Sequence, residues 1–430
     1  MKRSLFVVIF FAVCFTKIAV FAQQEVVINQ TLQWKDICYD PYISSIQLFK
    51  GNNEQAIPML ELGRPEELTL WFDDLAETRG ALYYTIVHCN TDWEEDNLYI
   101  GDFLNGFAQN PLPAYRLSRI TRSRYAHYAL TIPNREVQLK VSGNYLLKVY
   151  EKNPSTPLFV RGFSIMEPGV RITAKVRPPL TTGAPCLQQL EFSLQHPGLD
   201  VRNAFTELKV RVEQNGYRIP NTKNPEPTFV EQSATNYTQP DRLWYEGVNE
   251  YRTFDTRNLE FGALGVNRVR MDNDGFYYAQ LTDDSRRIGK VYTFNNDLDG
   301  HFRIDANRRQ DRHTEAEYVT TIFTLIAPAS YDYANVYVFG ELTNNTIDPR
   351  FRMEYNAERG TYELNVAIKQ GYYNYRYLLV DNAGKILMDE IEGCFSETQN
   401  TYNIFVYFRS PRDRYDRLVG FSSLNSLVAK

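Results

Sequence analysis

The chain has 430 residues, with 47 basic and 52 acidic side chains and a formal net charge of −5. That balance offers no basic footprint for a nucleic acid, so none is expected as a partner. At roughly 100–200 residues per domain the length implies two to four domains, and 30 tyrosines with 26 phenylalanines favour strands over helices.

Residues 1–22 read as an export signal. Lys2 and Arg3 make a positive start, Leu5–Phe15 is an uncharged apolar run, and Val20-Phe21-Ala22 supplies a cleavage site. The run is shorter than the about 20 apolar residues a membrane span needs, and no later run approaches that length. The expected product is an exported, soluble chain starting at residue 23. Four cysteines then remain, Cys38, Cys89, Cys186 and Cys394, with no CxxC pair to suggest a zinc or redox site. Export permits disulfides. Cys38–Cys89 is the one pair that falls within one expected domain, but free buried thiols are the preferred reading and that bond the alternative.

From residue 23 to 166, strand-length runs such as Ser45–Phe49, Leu68–Phe72, Leu82–Cys89, Tyr128–Ile132 and Tyr145–Tyr150 are separated by turn residues. This pattern predicts a β-sandwich. A joint at Met166-Glu-Pro168 opens a second series, taken as a middle sandwich over 167–308. The charged stretch Ala306–Glu317 reads as an exposed linker. Longer strands follow, and 309–430 is expected to form a third sandwich. Its closing strand, Tyr402–Tyr407, is aromatic and β-branched enough to be covered on both faces. The fold class is therefore all-β, with tandem immunoglobulin-like sandwiches.

No HExxH, GxSxG or phosphate-loop motif is present, so no catalytic residue, cofactor or metal is expected. Asn295–Gly300 places oxygen ligands as a calcium loop does, but Ala306 stands where the bidentate glutamate belongs, so a tight turn is the better reading. Asp73-Asp74 lacks an opposing carboxylate for glycoside chemistry and reads as an exposed strand-end pair. Tyr373, Tyr375 and Tyr377 share one strand face, which either stacks a sugar or fills a core. Val336–Gly340 through Tyr377 resembles early-set immunoglobulin-like modules, whose usual sugar-stacking tryptophan is replaced here by Leu342-Thr-Asn-Asn. Carbohydrate binding is the alternative function on that ground.

A wider resemblance rests on motifs occurring in order: His88-Cys89-Asn-Thr-Asp92-Trp93, Tyr125-Ala-His127-Tyr with Pro133-Asn134, and Ser142-Gly143-Asn144-Tyr145. Gly247-Val-Asn249-Glu250-Tyr-Arg252, Lys369-Gln370-Gly371-Tyr-Tyr-Asn-Tyr375, Ile391-Glu392-Gly393 and Arg414-Tyr415-Asp416-Arg417-Leu418 complete it. Together these resemble the plug-protein family of the type IX secretion system of Bacteroidota. The resemblance implies a periplasmic, non-enzymatic β protein. It would act as one copy within a complex, closing the periplasmic mouth of the outer-membrane translocon barrel. It also implies that the motif residues are structural or partner-facing rather than catalytic, and that Arg414 and Asp416 pair with each other or with the fold. The arginine-rich turn Arg409–Arg417 is the expected barrel-facing surface.

Overall fold

The computed structural model describes residues 36–76, 79–178, 186–216, 222–239, 242–307 and 309–427; the expected export signal, 1–22, lies outside them. The described chain is predominantly strand, arranged as β-sandwiches around three apolar cores.

The first core follows the alternation of its strands. Leu68, Leu70 and Phe72 from one sheet face Tyr84, Ile86, Tyr145 and Leu147 from the other, as period-2 side-chain geometry requires. One sheet orders Ile43–Lys50, Leu68–Asp74, Ala126–Ile132 and Arg116–Leu117. The facing sheet is centred on Gly143–Tyr150, between Tyr83–Cys89 and Phe159–Met166.

The second core is assembled from two separated parts of the chain. Thr401–Phe408 pairs antiparallel with Leu208–Gln214 along its length, from Leu208 opposite Phe408 to Gln214 opposite Tyr402. Tyr402, Ile404, Val406 and Phe408 pack with Leu190, Val210 and Val212. The strand expected to close the third sandwich therefore closes the second. Both its faces are covered as expected, because Phe405 and Tyr407 pack with Met59 and Leu418 on the other side.

The third core lies between these two parts. It runs from Phe254 through Val266, Leu281 and Phe302 to Tyr377 and Ile391, so strands from the expected middle segment 167–308 contribute to it. The cause is nesting. Local alternation specifies a strand but not which distant strand completes it. Ala306–Glu317, expected as an exposed linker, is instead a packed joint. Thr314, Glu315, Ala316 and Glu317 are buried, and Arg312 reaches Glu54 at 2.5 Å. Its charges are partners for the neighbouring sandwich rather than a solvated face.

Candidate functional site: three interdomain junctions

The motif residues are not spread over a surface. Most of them gather where the three sandwiches meet.

At the first junction, His88 lies between two acceptors: Nδ1 meets the Asp96 carboxylate and Nε2 the Ser142 carbonyl at 3.0 Å. Its ring stands edge-on to Tyr145 and Tyr415. Gly143, at φ +132°, permits this approach, because a Cβ there would overlap His88 Nε2. Asn144 Nδ2 donates to the Asn90 carbonyl at 3.0 Å, while its Oδ1 accepts from Ser164 and Tyr407, each at 3.0 Å. Cys89 points the other way, into a small cluster with Trp93, Leu146 and Val160. Burial pushes its thiol well above the ordinary range. Asp92 is exposed on the turn that follows.

Asp416 is the anchor of this junction. Its buried Oδ2 accepts from the Thr91 N–H at 3.0 Å and the Thr91 hydroxyl at 2.7 Å, with Lys209 Nζ at 3.3 Å. Burial opposes its charge, yet the Thr91 donors and Lys209 hold the carboxyl below its usual value. Arg211 donates to the Thr91 carbonyl at 3.2 Å and pairs with Glu213 at 3.0 Å. Arg414 pairs with Asp102 at 3.0 Å and Arg417 with Glu167, so both pair with the first sandwich and its border rather than with Asp416. The Arg409–Arg417 turn is thus largely a brace.

The second cluster lies inside the third sandwich, where it borders the middle one. Arg252 donates to Glu392 at 3.0 and 3.2 Å and to Asp284 at 2.6 Å, and Arg287 adds a further bond to Glu392 at 2.7 Å. Glu392 is fully buried and also accepts the Tyr377 N–H at 2.9 Å. Burial opposes its ionisation, but the two guanidiniums hold its carboxyl down at about 2. Asn249 Nδ2 donates to the Glu392 carbonyl at 2.9 Å; Glu250 accepts from Tyr292 and from the Gln399 N–H at 3.0 Å. Gly393, at φ +75°, ends this short helical turn. Beside it, Cys186 and Cys394 form a disulfide across 208 positions, while Cys38 and Cys89 are free. Cys38 and Cys89 thus carry the free thiols expected in preference to a bond between them. The nested chain path brings together cysteines that a segment-by-segment reading keeps apart.

At the third junction, Asp73 is buried rather than exposed as a strand-end residue. It accepts from His127 Nδ1 at 2.8 Å, Lys369 Nζ at 2.6 Å and Tyr318 OH at 2.8 Å. Burial works against both charges. Lys369 and His127 nevertheless keep Asp73 below its ordinary value, and Lys369 itself is pushed down. The His127 and His313 rings lie 4.8 Å apart, and Trp71 stands edge-on to His313 at 4.2 Å. Gln370 Oε1 accepts the Glu317 N–H at 2.9 Å, and Gly371 lets the Arg303 carbonyl come close. Arg211 and Asp73 are anchors that lie outside every quoted motif, whereas Thr91 and Lys369 lie within the motifs without having been singled out. For Thr91 and Lys369 the available signal was their place in those motifs.

Asn134 is a local turn residue, donating to Tyr84 OH at 3.0 Å and the Thr131 carbonyl at 2.9 Å. Asp297 serves as a turn residue too, accepting the Tyr251 and Asp299 N–H groups at 2.6 and 2.7 Å. The Tyr373, Tyr375 and Tyr377 rings lie inside the third core, and Tyr375 and Tyr377 donate to Asp284 at 2.7 and 2.8 Å. The stripe is core, so it presents no sugar-stacking face. A cleft of about 430 Å³ opens where the three sandwiches meet, lined by residues of all three, including Arg161, Asn403 and Asp299.

These junctions define a class of protein: an all-β body of three sandwiches joined by buried polar contacts. Residues 43–167 match the family model described as the type 9 secretion system plug protein first domain. A solved structure of a hypothetical protein from Parabacteroides merdae is 33% identical with a TM-score of 0.87, covering 91% of this chain and 99% of that one. The chain belongs to the type IX secretion system plug protein family. The C-terminal domain of the Streptococcus pyogenes protein AspA (9% identity, covering 88% of this chain and 98% of that one) has a TM-score of 0.15. Latent PorU from Porphyromonas gingivalis (10% identity, covering 90% and 34%) also scores 0.15, and neither carries an argument. No curated protein matches the chain.

Proposed function

We propose that the protein is a periplasmic plug that closes the inner mouth of the type IX translocon barrel when no substrate is engaged. Family membership supports a role in type IX secretion, and the match over 43–167 is the observation that carries the reading. The fold suits the task. A plug has to hold its shape across a wide pore, and the buried junctions at Asp416 and Asp73, with the Cys186–Cys394 disulfide, resist hinging between sandwiches. It also has to leave, which requires a polar, exchangeable contact with the barrel rather than a core-like one.

The test is affinity purification of the tagged chain from detergent-solubilised outer membrane, with and without active secretion. An outer-membrane barrel co-purifies in the idle state and is lost when substrate occupies the pore. Recovery of no barrel even after crosslinking sinks the assignment. A strain lacking the protein is expected to admit bulky antibiotics that the intact outer membrane excludes.

A further inference from the structure

We propose that the loop 117–124 and the adjoining strand Val266–Met271 form a docking surface for an anionic phospholipid membrane. This is separate from any contact with the pore. Three observations converge on this surface.

First, large apolar side chains stand in solvent there: Leu117 is 65% exposed, Ile120 69%, Met271 59% and Phe276 43%. Second, Ile120 has φ +56°, a left-handed backbone that a β-branched residue adopts only when its surroundings impose it. The surroundings do impose it. The Arg119 N–H donates to the Thr314 carbonyl at 2.7 Å, and the buried Glu317 carboxylate accepts the Arg122 and Ser123 N–H groups at 2.6 and 3.0 Å. This clamp, supplied by another sandwich, holds the loop with Ile120 turned out.

Third, the surface is basic on an acidic protein. Arg122, Arg124, Arg268 and Arg270 are exposed and form no ion pair among the described residues, whereas Arg116 and Arg119 are neutralised by Asp311 and Glu315. The two segments are contiguous, since the Arg122 guanidinium rests against Gly275, in the turn between Val266–Met271 and its partner strand Tyr277–Leu281. Arg270 is steadied over the Tyr278 ring at 4.1 Å. Of the acids on that turn, Asp272 commits its Oδ1 to the Asp274 and Phe276 N–H groups.

Apolar side chains at loop tips, ringed by arginines, match a phospholipid surface. The apolar groups enter the acyl boundary while the planar guanidiniums take phosphate oxygens in pairs. A flat acidic protein would satisfy the arginines but would leave a loop-borne isoleucine without a seat.

The test is flotation of the full chain with phosphatidylcholine vesicles containing about 30 mol% phosphatidylglycerol, a surface to which each basic residue adds attraction. The protein is expected to float with these vesicles, to be released by salt, and to ignore phosphatidylcholine alone. Combined Arg122→Glu, Arg268→Glu and Arg270→Glu is expected to cut the bound fraction at least about tenfold, the sum of three lost headgroup attractions. Ile120→Gly suits the left-handed position and folds at least as well, so weaker flotation of this variant isolates insertion from stability. A wild-type chain that stays unbound overturns the proposal. So does charge reversal that leaves flotation unchanged, or capture by an acidic polypeptide without vesicle binding.

Discussion

Thr91 and Asp416 are 325 positions apart in the chain, yet the Thr91 hydroxyl donates to the Asp416 carboxylate at 2.7 Å, beside a second bond from the Thr91 backbone. This pairing locks the last strands of the middle sandwich to the turn after Cys89. Asp416→Ala removes the acceptor and leaves a buried N–H and a buried hydroxyl without their partner. The expected loss is about 1–3 kcal/mol, the cost of unsatisfied buried donors. Calorimetric unfolding should show a lowered midpoint, with Thr91→Val giving a smaller shift because the backbone bond survives.

Glu392 faces two guanidiniums with no access to water. Glu392→Gln keeps the shape but leaves Arg252 short of charge compensation, so a loss of about 3–5 kcal/mol is expected by urea denaturation. The carboxyl titrates at about 2 in the folded chain against 4.5 when free. Its stabilisation is therefore complete above pH 4.5 and fades as the pH falls toward 2. The variant should lose that part of the acid dependence.

His313 shows the complementary behaviour. Burial, followed by the nearby His127, Arg312 and Lys369, pushes it from 6.5 down to about 3. The unfolded chain takes up a proton below pH 6.5 that the folded chain refuses until about pH 3. Stability should thus be full above 6.5 and decline as the pH falls through that window. Denaturation midpoints at pH 7.5 and pH 5 should differ, and His313→Gln should narrow the gap. The same difference in the variant would show that His313 is not the source.

The Cys186–Cys394 disulfide closes a loop of 208 positions. Chain-entropy reasoning places its contribution near the upper end of the range for disulfides, about 5 kcal/mol. Cys394→Ser, or the wild type with reductant, should melt at a lower temperature. Cys38→Ser should leave the midpoint nearly unchanged, since that cysteine is free.

What the sequence made legible was local. Alternation at Leu68–Phe72 and the dense run Tyr402–Tyr407 identified strands and even their two-sided burial, because those properties are written within a few residues. Which strand Tyr402–Tyr407 would join was not legible, since Gln214 and Tyr402 meet across 188 positions and nothing local encodes that pairing. The same limit hid Cys186–Cys394 and made Asp73 look like a solvated pair. Ala306–Glu317 looked like a linker because its charges find their partners on another sandwich, at Glu54 and Arg119. The ordered motifs, by contrast, gave the family, and many of their residues lie in buried polar clusters where sandwiches meet.

The nesting of the third sandwich inside the second has a consequence while the chain is being made. Synthesis from the amino terminus delivers Leu208–Gln214 long before Thr401–Phe408 emerges to pair with it. Until then the half-built sandwich carries an open strand edge and an uncovered apolar face, the combination most prone to capture by another chain. The nascent chain therefore requires either fast completion or a holdase. The inserted sandwich, whose strands are contiguous in sequence, should mature first and carry the missing strand home.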